Sequence, residues 1–120
     1  MNEIRLPDSE LKVMGFLWDK GYASAKAVAE FMSETYGWKK NTTYTVLKNL
    51  TAKQVVERKE PDFICLPLVT REQVGKTETN SLLERFYKGS VSALISSFLN
   101  DRKLSKEELE EIKKMIDKSK

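Results

Sequence analysis

Threonine, tyrosine, asparagine and lysine side chains crowd the stretch from Lys39 to Lys53, KKNTTYTVLKNLTAK. Hydroxyls, amides and ammonium groups of this kind hydrogen-bond to base edges and phosphates; they carry no nucleophile paired with a base. Val46, Leu47 and Leu50 recur at the three- and four-residue spacing that places side chains on one helical face. Thr42, Tyr44, Thr45, Lys48 and Asn49 fall largely elsewhere. The pattern predicts a short helix with a buried seam and a polar, basic outer surface, a helix suited to a groove of nucleic acid. A surface helix with a solvated polar face carries the same pattern, so the choice rests on the rest of the chain.

Charge supports recognition over solvation. The whole chain of 120 residues has a net charge of +3, yet Lys39, Lys40, Lys48, Lys53, Arg58 and Lys59 stand against Glu57 alone between Trp38 and Lys59. That segment therefore carries +5 and the remainder −2, so the basicity is focused. Other chemistry lacks material. There is no histidine, and Cys65 sits in the apolar run FICL, which leaves no transition-metal ligand set, nucleophile–base pair or histidine acid–base arrangement. Carboxylates are scattered along helix-like segments without a motif that pairs them. Neither an enzyme nor a cofactor is expected. A lone thiol cannot form an internal disulfide, MNEIRLPDSE lacks a basic region followed by an apolar run, and no stretch approaches about 20 apolar residues. A cytoplasmic protein without membrane insertion is the expectation.

The elements that must position the polar helix follow in order. Pro7, Asp8, Ser9 and Glu10 open a first helix, with Leu11, Met14, Leu17 and Trp18 as its buried stripe and Lys20-Gly21 as its stop. Ser24 caps a second, with Ala25, Val28, Ala29 and Met32 inward and Gly37 at its end; Trp38 anchors the passage to the third. Gln54 to Arg58 and Phe63 to Leu66 read as a two-stranded hairpin around Lys59-Glu60-Pro61-Asp62. Three helices and a hairpin make a winged helix-turn-helix, in which the third helix enters the major groove and Arg58 and Lys59 face phosphate.

Composition changes after Thr70. Helices are expected over Arg71 to Tyr87, Ser90 to Asn100 and Ser105 to Lys118, the last opened by a Ser105-x-x-Glu108 capping box. Leu82, Leu83, Phe86 and Tyr87, then Val91, Leu94, Ile95, Phe98 and Leu99, then Leu109, Ile112 and Ile116 form their apolar faces. Three short helices are too small a unit to bury that surface alone, and a second copy of the chain is the economical partner. The chain is thus mainly α, with a winged-helix domain at 1–70 and a helical dimerisation domain at 71–120.

The segments SELKVMGFLW and GYASAKAVAEFM, the W-x-x-x-T-x-x-T-x-L-x-x-L spacing from Trp38 to Leu50, and LLERFYKGSVSALISSFLNDRKLSKEELEEI together resemble the penicillinase-repressor family, which includes methicillin-resistance and copper-responsive repressors. The resemblance implies a homodimeric repressor on double-stranded DNA, reading a palindromic operator whose half-sites lie about 34 Å apart. It implies TACA/TGTA-type dyads upstream of resistance genes. Carried over by position, Thr42, Tyr44 and Thr45 match base-facing sites, with Asn41 and Lys48 nearby. Relatives often carry Lys, then Arg or Gln, at Asn41 and Tyr44, and Arg at Asn49. In β-lactam-responsive relatives a membrane-sensor pathway leads to cleavage between Asn and Phe in the tail; Ser97 and Phe98 occupy that place here. The C-x-C pairs of the copper-responsive branch are absent, which excludes metal sensing by that route. The reading from a different class is a protein-interaction module with a docking tail and no sequence-specific DNA binding, which would be monomeric in sedimentation until its partner is added.

Overall fold

The computed structural model describes residues 4–119. Its elements run α1 (Asp8–Lys20), β1 (Ala23–Ser24), α2 (Ala25–Tyr36), α3 (Lys40–Ala52), β2 (Val56–Lys59), β3 (Ile64–Pro67), α4 (Arg71–Tyr87), α5 (Val91–Asn100) and α6 (Lys106–Lys118). Two compact units divide within α4, Met1–Glu78 and Thr79–Lys120. The compositional break that separates 1–70 from 71–120 lies at the start of that helix.

In the first unit each helix is started and stopped by local chemistry. Pro7 precedes α1 in extended conformation and Gly21, at φ 86°, ends it by donating its N–H to the Leu17 carbonyl. The Ser24 hydroxyl accepts the Ala27 amide at the head of α2, and Gly37 closes that helix in the left-handed region. The buried face of α2 is Ala25, Val28, Ala29 and Met32, as its periodicity requires. The expected hairpin forms from β2 and β3, and a third strand joins it. The sheet has three antiparallel strands in the order β1-β3-β2, because Ala23 and Ser24 pair with Cys65 and Ile64. Two residues are too few to show a period, so β1 has no signature of its own.

The core of this unit joins α1, α2, α3 and the sheet through Val13, Met14, Leu17, Val28, Met32, Leu47, Leu50 and Cys65. Leu11 and Trp18 are half-buried at its margin, while Val13 is fully enclosed. The Trp18 indole donates to the Val69 carbonyl at 2.9 Å, and Arg71 lies over its ring at 5.4 Å while ion-pairing with Asp19. Two polar side chains enter the interior. Glu10, read from sequence as a dipole-favouring residue of the first turn, is 4% exposed and bonded to Lys53 Nζ at 2.6 Å.

Thr43 is fully buried and its hydroxyl lacks a partner. A stranded buried hydroxyl costs about 1–3 kcal/mol. Thr43→Val keeps the shape and removes the polar atom, and is expected to raise stability by about 1 kcal/mol. A urea midpoint that falls instead would show that the hydroxyl has a partner. Burial also pushes the Cys65 thiol up to about 11, against a smaller downward pull from Arg58. The thiolate is the reactive form, so iodoacetamide at about pH 8 is expected to label Cys65 only after unfolding. Rapid native labelling would contradict its enclosure.

The second unit is built differently. Ser90 caps α5 through the Ala93 amide, and Ser105 and Glu108 form the reciprocal capping box that opens α6. Local bonding therefore defines the helices well, yet neither α5 nor α6 buries a single residue in the single chain. Phe86 is 66% and Phe98 43% exposed, with Leu82, Val91, Ile95, Leu99, Leu109 and Ile116 also open to solvent. Tyr87, Leu94 and Ile112 are half-buried, and Leu83 alone of this set is buried. No described helix is long and apolar enough to cross a membrane.

Candidate nucleic-acid interface

Helix α3 presents three distinct surfaces. Thr43, Val46, Leu47 and Leu50 face the core. Asn41, Thr42, Thr45 and Asn49 are exposed on the opposite side, a continuous strip of short hydrogen-bonding side chains. Between them runs a third strip, Tyr44, Lys48 and Thr51, spaced at four and three residues and turned toward the hairpin. Thr43 was indistinguishable from its outward neighbours by residue type. Its spacing of three, four and seven residues before Val46, Leu47 and Leu50 is the signal that it points inward.

The helix start is electrostatically unusual. Lys39 stands at the cap without a side-chain bond, Lys40 follows, and the first turn contains no acid. Cations beside the positive end of a helix dipole are unfavourable by about 0.3–1 kcal/mol each at the surface. An anion placed there reverses that term and meets the open amides of the first turn. Among the described residues, Lys39, Lys40 and Lys48 make no ion pair.

The other cations of the basic segment are placed less uniformly than their spacing suggests. Lys53 is committed to the buried Glu10. Arg58 and Lys59 alternate across the strand: Arg58 pairs in register with the buried Cys65 and so shares its face, whereas Lys59 lies on the outer face, 4.0 Å from Glu57. The structure therefore brings Arg58 beside α3 and leaves Lys59 on the far side of the hairpin. Arg58→Ala is accordingly expected to weaken DNA binding about tenfold, and Lys59→Ala less than threefold, in titrations at fixed salt. Equal losses would contradict this division.

Tyr44 is also not a freely projecting side chain. Its ring meets Phe63 edge-on at 5.8 Å, with Lys40 Nζ 5.8 Å from its own centroid, and it packs partly into the core. Phe63, absent from the sequence-derived site, lies between Tyr44 and the Arg58 guanidinium, which stacks 3.7 Å from its centroid. Among the described residues no group of three or more His, Cys, Asp or Glu could hold a metal ion.

The sequence pattern that describes the penicillinase repressor family matches residues 6–118. The chain is 27% identical over 115 residues to the methicillin resistance regulatory protein MecI of Staphylococcus aureus, covering 94% of each protein. It is 26% identical over 118 residues to the penicillinase repressor of Bacillus licheniformis, covering 97% of this chain and 92% of that one. The solution structure of the DNA binding domain of the repressor BlaI aligns with a TM-score of 0.56 at 23% identity, over 60% of this chain and 90% of that domain, and shares the winged-helix fold. With a match over nearly its whole length, on a winged helix whose third helix is armed in this way, the chain belongs to the penicillinase repressor family of DNA-binding transcriptional regulators, which are not enzymes.

Proposed function

We propose that the protein is a homodimeric transcriptional repressor that covers a palindromic operator and is released when the dimer is lost. Residues 1–70 read DNA and residues 71–120 join two copies. The outward strip of α3, flanked by unpaired lysines and an acid-free helix start, is the observation that carries the DNA reading. The capped but unburied helices α5 and α6 support the dimer, since isolated small units with that much apolar surface are not stable. Repression takes place in the cytoplasm, where the operator is, and the regulated genes are of the resistance type.

Base readout falls to Asn41, Thr42, Thr45 and Asn49, with Tyr44 contacting DNA from the hairpin side. Lys39, Lys48 and Arg58 make the main backbone contacts, with Lys40 and Lys59 at their margin. Release by proteolysis would act at Ser97–Phe98, inside α5, where the Phe98 carbonyl accepts from Lys103 and the Ser97 carbonyl from Asp101. That bond becomes a substrate only when the end of α5 unwinds, a local opening that dissociation favours.

Selection of bound duplexes from random DNA tests the reading. The expected product is a two-fold symmetric site with half-sites about one helical turn apart. On that duplex, about three phosphate contacts per copy give a slope of log K against log salt near −5. Thr42→Ala is expected to change the selected bases, and Lys39→Ala to weaken all sequences alike. A slope near zero, or selection without symmetry, would sink the proposal.

A further inference from the structure

The groove between α3 and the hairpin, about 490 Å³, is lined by Tyr44, Thr51, Ala52 and Phe63 together with the cations Lys48 and Arg58. Arg58 is held there twice. Its guanidinium stacks on Phe63, and its Nε donates to the Glu60 carboxylate. Phe63 is a braced platform: its carbonyl accepts the Ala25 N–H at 2.9 Å and its ring meets Tyr44 edge-on. Stacking covers one face of the guanidinium and leaves its in-plane N–H donors available. A carboxylate and a phosphodiester each present anionic oxygens to that donor fork.

We propose that the two cations bordering this largely apolar groove, Lys48 and Arg58, grip one backbone phosphate of DNA, and that Glu60 is an intramolecular stand-in for that phosphate. Glu60 keeps Arg58 stacked on Phe63 until DNA takes its place. The inference rests on the DNA reading above and gives that reading a specific contact. An exposed pair of this kind is worth about 0–1 kcal/mol, little enough for a phosphate held by two cations to displace. Pre-ordering the arginine removes part of the side-chain entropy cost of binding. Glu60 is thus a positioning residue and a competitor at once.

The test uses the whole protein and a selected operator duplex across a salt series. Glu60→Gln is expected to tighten binding about twofold to fivefold. Arg58→Ala weakens binding and flattens the salt slope by about one unit per copy. In the Arg58→Ala background, Glu60→Gln is expected to have no effect. Equal tightening in both backgrounds would show that Glu60 acts only as a diffuse negative charge, and overturns the proposal. So does Glu60→Gln weakening the wild type. Phe63→Leu is expected to flatten the slope as Arg58→Ala does, with Phe63→Tyr restoring it; an unaltered slope in Phe63→Leu removes the platform from the argument. Wild-type protein that binds no duplex in a salt-dependent way overturns the DNA reading itself, whereas additive effects on a wild type that does bind overturn the stand-in alone.

Discussion

Ile95→Asp combined with Phe98→Asp is expected to turn the protein into a monomer and to weaken operator binding about 10²- to 10⁴-fold. Both side chains are exposed in the single chain and lie one turn apart on α5. Two charges placed in an apolar contact would be desolvated without partners, a cost of several kcal/mol on each side of a symmetric interface. The loss of affinity follows from connectivity. In a dimer the second winged helix meets its half-site at the high effective concentration set by the first; in a monomer each half-site is bound independently. Sedimentation at micromolar concentration and operator titration read the two consequences separately. A double variant that sediments as wild type would refute the assignment of this face to the dimer. One that becomes monomeric yet binds the palindrome as tightly would refute the two-headed mode of reading.

Lys53→Ala is expected to lower stability by about 2 kcal/mol while leaving the salt slope of DNA binding unchanged. The alanine strands the Glu10 carboxylate, which is nearly enclosed at the start of α1 and has Lys53 as its partner across 43 positions of sequence. Breaking a fully buried pair costs about 3–5 kcal/mol, and the smaller value reflects the partly exposed lysine. Removing the charge as well should undo the damage. Glu10→Leu with Lys53→Ala is expected to recover most of the lost stability, since replacing both ions by apolar groups is often neutral. Denaturant melts of the single and double variants decide it. If Lys53→Ala melts like wild type but flattens the salt slope, then Lys53 serves DNA rather than Glu10.

Lys53 marks where sequence reasoning stops. Elements bounded by local chemistry were legible: the Ser24 and Ser105 caps, Gly37, and the inward set of α2 all depend on residues within a few positions of one another. Features that depend on distant partners were hidden. Glu10 in a first turn looks like any dipole-favouring acid until Lys53 is known to reach it. Strand β1 exists only because β3, some forty residues later, offers it a ladder. The candidate interface divides in the same way. The outward strip of α3 follows from period alone, but the pairing of Tyr44 with Phe63, and the choice of Arg58 over Lys59 as the residue on the α3 side, required the register of the hairpin. Helical period separates Thr43 from Thr42 and Thr45; residue type does not.

The placement of β3 in the middle of its sheet bears on how copies of this protein can meet. Its sequence, Ile-Cys-Leu-Pro, is the most apolar of the three strands, and both of its flanks are occupied by β1 and β2. What remains at the margins is a two-residue strand on one side and Val-Glu-Arg-Lys on the other, short and charged respectively. Such margins discourage strand-to-strand stacking between molecules, the route by which sheets seed fibrils. Strand-to-strand association through the winged helix is thereby disfavoured, so that copies crowded along DNA need not entangle their sheets.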